Sequence, residues 1–266
     1  MEPFVLVERD GPVVIASFNR PDQMNAITEA QQCDEILAFC TAMTRDKTVR
    51  AIVLTGAGKA FCAGGNVKHM QERAGMFAGS PYDIRHTYRT TVQLVGPALY
   101  NLEVPIIAAI NGAAIGLGLD LSCMCDIRLA SEKAVVAESY VKLGIIPGGG
   151  GAWILPRIVG NARAALMTLT GDAIKADKML EYGLVAEVLP PEDLLPRAKE
   201  LAHAIAANPG HATRMAKRLL REGQAMTLPA LLEMAAAFQA AAHHTEDHLE
   251  AVNAMLEKRS PQFTGK

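Results

Sequence analysis

Hydrophobic positions along the chain follow two patterns. Up to about residue 200 they come in short unbroken runs separated by glycine-rich turns. Beyond it they spread at helical spacing among Ala, Met, Leu and charged residues, with no strand-like run. The runs at 51–55, 106–110 and 127–130 have the continuous apolar character of strands buried on both faces. Residues 4–8 and 13–18 predict two strands around the turn Asp10-Gly11-Pro12. Thr28-Glu29-Ala30-Gln31 has the form of a capping box and predicts a helix to about Arg45. Residues 73–84, with Gly75, Gly79, Ser80 and Pro81, read as a mobile loop. A helix is expected over 84–102, bent or broken by Pro97. Further helices are expected over 161–170, over 173–182 closed by Gly183, and over 192–207 ending before Pro209. Two more cover about 211–222 and 227–258. Strands alternating with helices imply βαβ units with parallel strands. The pattern divides the chain into a core region, 1–200, and a helical region, 201–266, whose Ala- and Met-rich faces suit packing between subunits.

Composition narrows the class. The chain has 266 residues, half of them hydrophobic, and a net charge of −2. That length supports a large core, and the balanced charge argues against a nucleic-acid or anionic-membrane surface. No apolar run approaches the roughly 18 residues of a spanning helix. The first residues lack the basic start and apolar stretch of a signal peptide. Five cysteines without framework spacing suit a reducing compartment. The expectation is a cytoplasmic α/β protein.

Two glycine turns and one acid carry the candidate chemistry. Gly64-Gly65 lies in the stretch 60–68, after the run at 51–55; Gly116-Leu117-Gly118 lies in 111–120, after the run at 106–110. A turn leading from a strand into a helix exposes backbone N–H groups with partial positive charge. Two such turns side by side can hold an oxygen that becomes negative during a reaction. Gly65 and Leu117 are the expected donors, with Gly116 allowing close approach. Packing of small residues is the alternative reading. Asp120 follows Leu117 by about one helical turn, near the same mouth, and is either a buried hydrogen-bonded cap or a tuned acid/base. Asp126 is expected to cap or pair locally with Arg128.

Other motifs fall away. Thr55-Gly56-Ala57-Gly58 lacks the third glycine of a dinucleotide fingerprint, since Phe61 stands there, and Lys59 lacks the following Ser or Thr of a P-loop. Tyr140 and Lys142 are too close for a Tyr-x-x-x-Lys redox pair. Cys123 and Cys125 lack zinc-site spacing. His244 and His248, four apart beside Asp247 and Glu250, read as a solvated helix face.

The order of these pieces resembles the enoyl-CoA hydratase/isomerase, or crotonase, superfamily. The matching pieces are Phe18-Asn19-Arg20-Pro21 with Asn25-Ala26, the stretches 52–68, 104–112 and 125–128, and Leu143-Gly144-Ile145-Ile146-Pro147-Gly148. Leu155-Pro156, Gly183-Leu184-Val185 and the terminal Glu257-Lys258-Arg259 with Pro261 complete the series. The resemblance implies a spiral of ββα repeats with a helical C-terminal region that forms trimers or dimers of trimers. It implies an acyl-CoA thioester substrate, no separate cofactor and no metal. Gly65 and Leu117 would hold the thioester oxygen. Met24, Ala26, Ala63 and Val67 would line the CoA site, with Lys68 and a neighbouring subunit's Lys258 near its phosphates. Of the two glutamates in the hydratase pattern, the first matches Asp120 and the second falls on Tyr140. Glu138, two residues earlier, is placed slightly ahead of Tyr140 as the second acid. Gly148 stands where dienoyl-CoA isomerases carry a further Asp. Hydration of a 2-enoyl-CoA is the expected reaction. Double-bond isomerisation with one carboxylate, hydrolysis, or CoA-thioester binding without chemistry are the alternatives.

Overall fold

The computed structural model describes residues 2–266. β1 (Val5–Asp10) and β2 (Val13–Phe18) form an antiparallel hairpin. α1 (Ala30–Arg45) begins later than the capping box at Thr28 implied. The residue that reaches back is Gln32, not Gln31. Its Oε1 accepts the N–H groups of Thr28 (2.6 Å) and Glu29 (2.9 Å), and its amide donates to Ala26 O. Gln32 is buried and Gln31 exposed, so burial selects the cap.

One pattern then repeats three times. β3 (Ala51–Gly56) and β4 (Ala60–Cys62) lead into α2 (Val67–Glu72). After α3 (Pro81–Thr90) and α4 (Val92–Tyr100), β5 (Ile106–Ile110) and β6 (Ala113–Ile115) lead into α5 (Leu117–Met124). β7 (Ile127–Ser131) and β8 (Val135–Ala137) lead into a 3-10 turn, Ser139–Leu143. The remainder is α6 (Gly151–Val159), α7 (Asn161–Thr170), β9 (Ile174–Lys175), α8 (Ala176–Glu181), β10 (Glu187–Leu189) and α9 (Pro191–Ala206), then α10 (Gly210–Glu222), α11 (Leu228–His243) and α12 (Glu246–Glu257). The longer strand of each repeat joins a six-stranded sheet, order β1-β2-β3-β5-β7-β10; the shorter joins a four-stranded sheet, order β4-β6-β8-β9. β1–β2 and β8–β9 pair antiparallel and every other pair is parallel. This is the expected spiral of ββα repeats.

Two asparagine clamps hold the corners between sheets. Asn111 Nδ2 donates to the carbonyls of Gly56 and Gly58, and buried Asn25 donates to those of Ala57 and Ala60. The central strands of the larger sheet are buried on both faces. Ile52, Leu54 and Ile106 point to the side of α1, α4 and α5; Val53, Ile107 and Leu129 point to α9. That explains why β3 and β5 are unbroken apolar runs. α9 buries Leu194, Ala198, Ala202 and Ala206, a stripe at four-residue spacing that crosses residue 200 without interruption. The chain therefore leaves the sheet after α9, and a boundary at 200 falls inside this helix.

Five further expectations about local structure are corrected. Residues 73–84 contain a 3-10 turn, Gly75–Phe77, and the capped start of α3. The helix expected over 84–102 breaks at Thr91 (φ −130°, ψ −93°), not at Pro97, which α4 absorbs. The segment 173–182 opens as the strand β9, and the segment 227–258 is interrupted at His244-Thr245, where Thr245 caps α12. Asp126 does not pair with Arg128, which donates instead to the carbonyls of Leu184 and Cys125. Asp126 accepts Ile106 N–H and pairs with Lys217 and Arg221 of α10, each at 2.7 Å. Lys217 is buried and also donates to Val104 O. Lys217→Met leaves Arg221 in place but strips one cation from a shielded carboxylate, and a loss of about 2 kcal/mol is expected. Urea unfolding with an unchanged midpoint would contradict it. Among the described residues no helix is long and apolar enough to cross a membrane.

Candidate active site

The two glycine turns lie against each other. A Cβ added to Gly118 would stand 1.9 Å from Cys62 O, and one on Gly64 would stand 3.4 Å from Leu117 N. Gly116 makes the second turn possible with φ +52° and ψ −116°, and its N–H donates to Ala137 O. Leu117 is the first residue of α5, so its N–H has no partner within the helix. The first turn is fixed from the other side. Ile27 N–H donates to Gly64 O and Ala63 N–H to Met24 O. Gly65 and Leu117 consequently line one pocket.

Tyr140 lines the same pocket. Its ring lies over Gly116, where an added Cβ would come within 3.4 Å of Tyr140 Cζ. Its hydroxyl donates to Asp120 Oδ2 at 2.8 Å. Asp120 projects from the first turn of α5 and is 1 % exposed. Glu138 stands just before the 3-10 turn, where its side chain makes no capping bond; it is 0 % exposed and does not line the pocket. Gly149 and Gly151 close the cluster. A Cβ on Gly149 would meet Asp120 Oδ2 at 2.7 Å, and one on Gly151 would meet Asp120 Oδ1 at 2.1 Å and Glu138 Oε1 at 2.2 Å. The third glycine cluster of the sequence thus exists to let two carboxyl groups approach one backbone.

Burial dominates the electrostatics. It pushes the Asp120 carboxyl above its ordinary range, and the Tyr140 hydroxyl, the Gly151 amide and Glu138 offset this only in part. Burial pushes Glu138 up further, and the neighbouring charge of Asp120 adds to it. Tyr140 is raised by burial and then by both carboxylates, so its phenol stays protonated.

The rest of the lining comes from Ile27, Met70, Met76, Phe77, Tyr88 and Ile145 among others. Met70, Phe77, Tyr88 and Ile145 are shared with a wider cleft of about 680 Å³ between α2, α3 and the Leu143–Ile145 segment. Sequence reasoning read 73–84 as a mobile loop and named none of these as lining residues. The apolar Met76 and Phe77 inside a glycine-rich stretch were the available signal. Among the other sequence candidates, Met24 and Val67 are exposed and Ala26 is buried on the strip flanking the first turn. Lys68 is exposed on α2, 3.9 Å from Glu72. Lys258 ends α12 in a left-handed conformation and lines neither the pocket nor the cleft. His248 meets His243, not His244, and no cluster suited to a metal occurs among the described residues.

One pocket is thus lined by two adjoining glycine turns and by a tyrosine whose hydroxyl is bonded to a buried aspartate. The chain belongs to the enoyl-CoA hydratase/isomerase family, whose profile matches residues 8–266. It is 34% identical to the 1,2-epoxyphenylacetyl-CoA isomerase of Escherichia coli over 100% of both chains. It is also 34% identical to the crotonyl-CoA hydratase of Syntrophomonas wolfei over 98% of each. The crystal structure of an enoyl-CoA hydratase from Bacillus anthracis superposes with a TM-score of 0.92 at 37% identity, covering 99% of this chain and 100% of that one.

Proposed function

We propose that the protein adds water across the double bond of a 2-enoyl-CoA thioester. The observation that carries this reading is the single pocket lined by Gly65, Leu117 and Tyr140, with Tyr140 bonded to Asp120. The thioester oxygen lies between the amides of Gly65 and Leu117. As water attacks the β-carbon, negative charge grows on that oxygen. Each oxyanion donor contributes about 3–4 kcal/mol at that stage. The proton leaving the water passes to the Tyr140 oxygen while the Tyr140 proton passes to Asp120 Oδ2. When the enolate collapses, the proton returns along the same path to the α-carbon. Atoms balance with one proton carrier and no cofactor. CoA runs along Met24, Ala26, Ala63 and Val67, with Lys68 and a neighbour's Lys258 meeting its phosphates.

The second reading is double-bond isomerisation, favoured by the seclusion of Glu138 from the pocket. One carrier suffices to take a proton from the α-carbon of a 3-enoyl-CoA and return it at the γ-carbon. Crotonyl-CoA and a 3-enoyl-CoA separate the two. Loss of enoyl absorbance with the first supports hydration; a gain with the second supports isomerisation; neither would sink both.

Homotrimers or dimers of trimers in the cytoplasm complete the proposal. α11 buries no residue within the chain, and Leu228, Leu232, Leu249, Met255 and Leu256 are all more than half exposed. Apolar surface on this scale suits subunit packing. Light scattering should give a trimer or hexamer at micromolar concentration, and an active monomer would contradict it.

A further inference from the structure

Asp120 Oδ1 and both carboxyl oxygens of Glu138 are buried without a hydrogen-bond donor among the described residues. A Cβ added to Gly151 would stand 2.1 Å from Asp120 Oδ1 and 2.2 Å from Glu138 Oε1, so the two oxygens crowd the same small space beside that glycine. Two ionised carboxylates there would repel in a site with almost no water. A proton between them removes the repulsion and satisfies both oxygens at once.

We propose that Glu138 is a positioning residue that stays protonated and donates its carboxyl proton to Asp120 Oδ1. This rests on the reading of Asp120 as the proton carrier. The proton sits on Glu138 because the Tyr140 hydroxyl, donated to Oδ2 at 2.8 Å, favours charge on Asp120. Glu138 has no such donor. The titratable groups facing the pair are the Tyr140 phenol on the 3-10 turn and the Cys123 thiol further along α5, which burial pushes up to about 12. α6 contributes only the Gly151 amide, and no basic side chain acts on Glu138. Charge therefore alternates along the chain from an acid, Glu138, to a carboxylate, Asp120, to a phenol, Tyr140, that meets the pocket. Glu138 fixes the rotamer of Asp120 and keeps it ionised without touching substrate.

Glu138→Gln and Glu138→Leu separate this role from acid/base catalysis. The Gln side-chain amide can donate to Asp120 as the protonated acid does. Its kcat and KM should stay within about threefold of the parent, with an unchanged pH–rate profile. Leu removes the donor, so the acidic limb of the profile should move up by about one unit as Asp120 becomes harder to ionise. A loss of roughly a hundredfold or more in kcat for Gln, at unchanged KM, would overturn the proposal, since only an ionising Glu138 explains it. That arm decides even if the Leu protein does not fold. The infrared difference between parent and Glu138→Gln at neutral pH should contain the carbonyl band of a protonated acid; an ionised-carboxylate band would overturn the proposal. This spectrum needs no substrate. An intact acid band beside inactivity on every enoyl-CoA would count against the functional reading and support the protonated Glu138. Folding raises the Glu138 pKa from its ordinary 4.5, so its contribution is complete below that value and is lost as pH rises through the folded one. Between about pH 5 and pH 9 the parent should lose Tm relative to Glu138→Gln.

Discussion

Asp120→Asn is expected to lower turnover by roughly 10²–10⁴, with the fold and CoA affinity kept. Asn fills nearly the same volume, and its carbonyl oxygen can still accept the Tyr140 hydroxyl bond that Oδ2 accepts at 2.8 Å. What disappears is the carboxylate to which, on the proposed mechanism, Tyr140 passes its proton. Burial already works against charge at this position, since Asp120 is 1 % exposed. Removing that charge should leave stability equal or higher. The two measurements thus diverge: kcat falls while Tm holds or rises. Turnover within threefold of the parent on the natural substrate would show that Asp120 is a structural acid and that the proton moves elsewhere.

Gly118→Ala should have the largest effect on stability. The added Cβ would stand 1.9 Å from Cys62 O and 2.8 Å from Cys62 C. Both are backbone atoms at the end of β4, so no side chain can swing aside. The methyl can be accommodated only by prising α5 away from the first glycine turn. A cost of about 3 kcal/mol or more is expected. Because the amides of Gly65 and Leu117 sit on those two turns, a shift of about 1 Å should also cost roughly a hundredfold in rate. Gly210→Ala is the control. Its nearest neighbour would be Arg50 Cγ at 3.7 Å, and both properties should stay near the parent's. Unfolding of Gly118→Ala at the parent's urea midpoint would contradict the close packing of the turns.

The sequence revealed the large sheet because burial on both faces writes continuous apolar runs, as at β3 and β5. The small sheet was illegible. β4, β6 and β8 have three residues each, too few to show a period of two. The helix break at Thr91 was hidden for a different reason. Proline at position 97 is the louder local signal, yet the break is set by tertiary packing, which turns Tyr88 toward the pocket and Val95 and Leu99 into the core. The break before α12 did carry a signal, Thr245 followed by Glu246 and Asp247, the chemistry of a helix start. The partner of Asp126 lay about ninety residues away on α10, beyond any local rule. At the site, the two adjoining turns and Asp120 were legible because glycines and a helix start mark them in the sequence. The burial of Glu138 behind Asp120 was not, since it depends on glycines 149 and 151 yielding space from another element.

The most direct test is a crystal structure with a bound, unreactive acyl-CoA. The account expects the thioester oxygen within about 3 Å of both Gly65 N and Leu117 N, the β-carbon beside the Tyr140 hydroxyl, and Glu138 out of contact with the ligand. A thioester oxygen bonded to neither amide, or an acyl chain that reaches Glu138 directly, would contradict it.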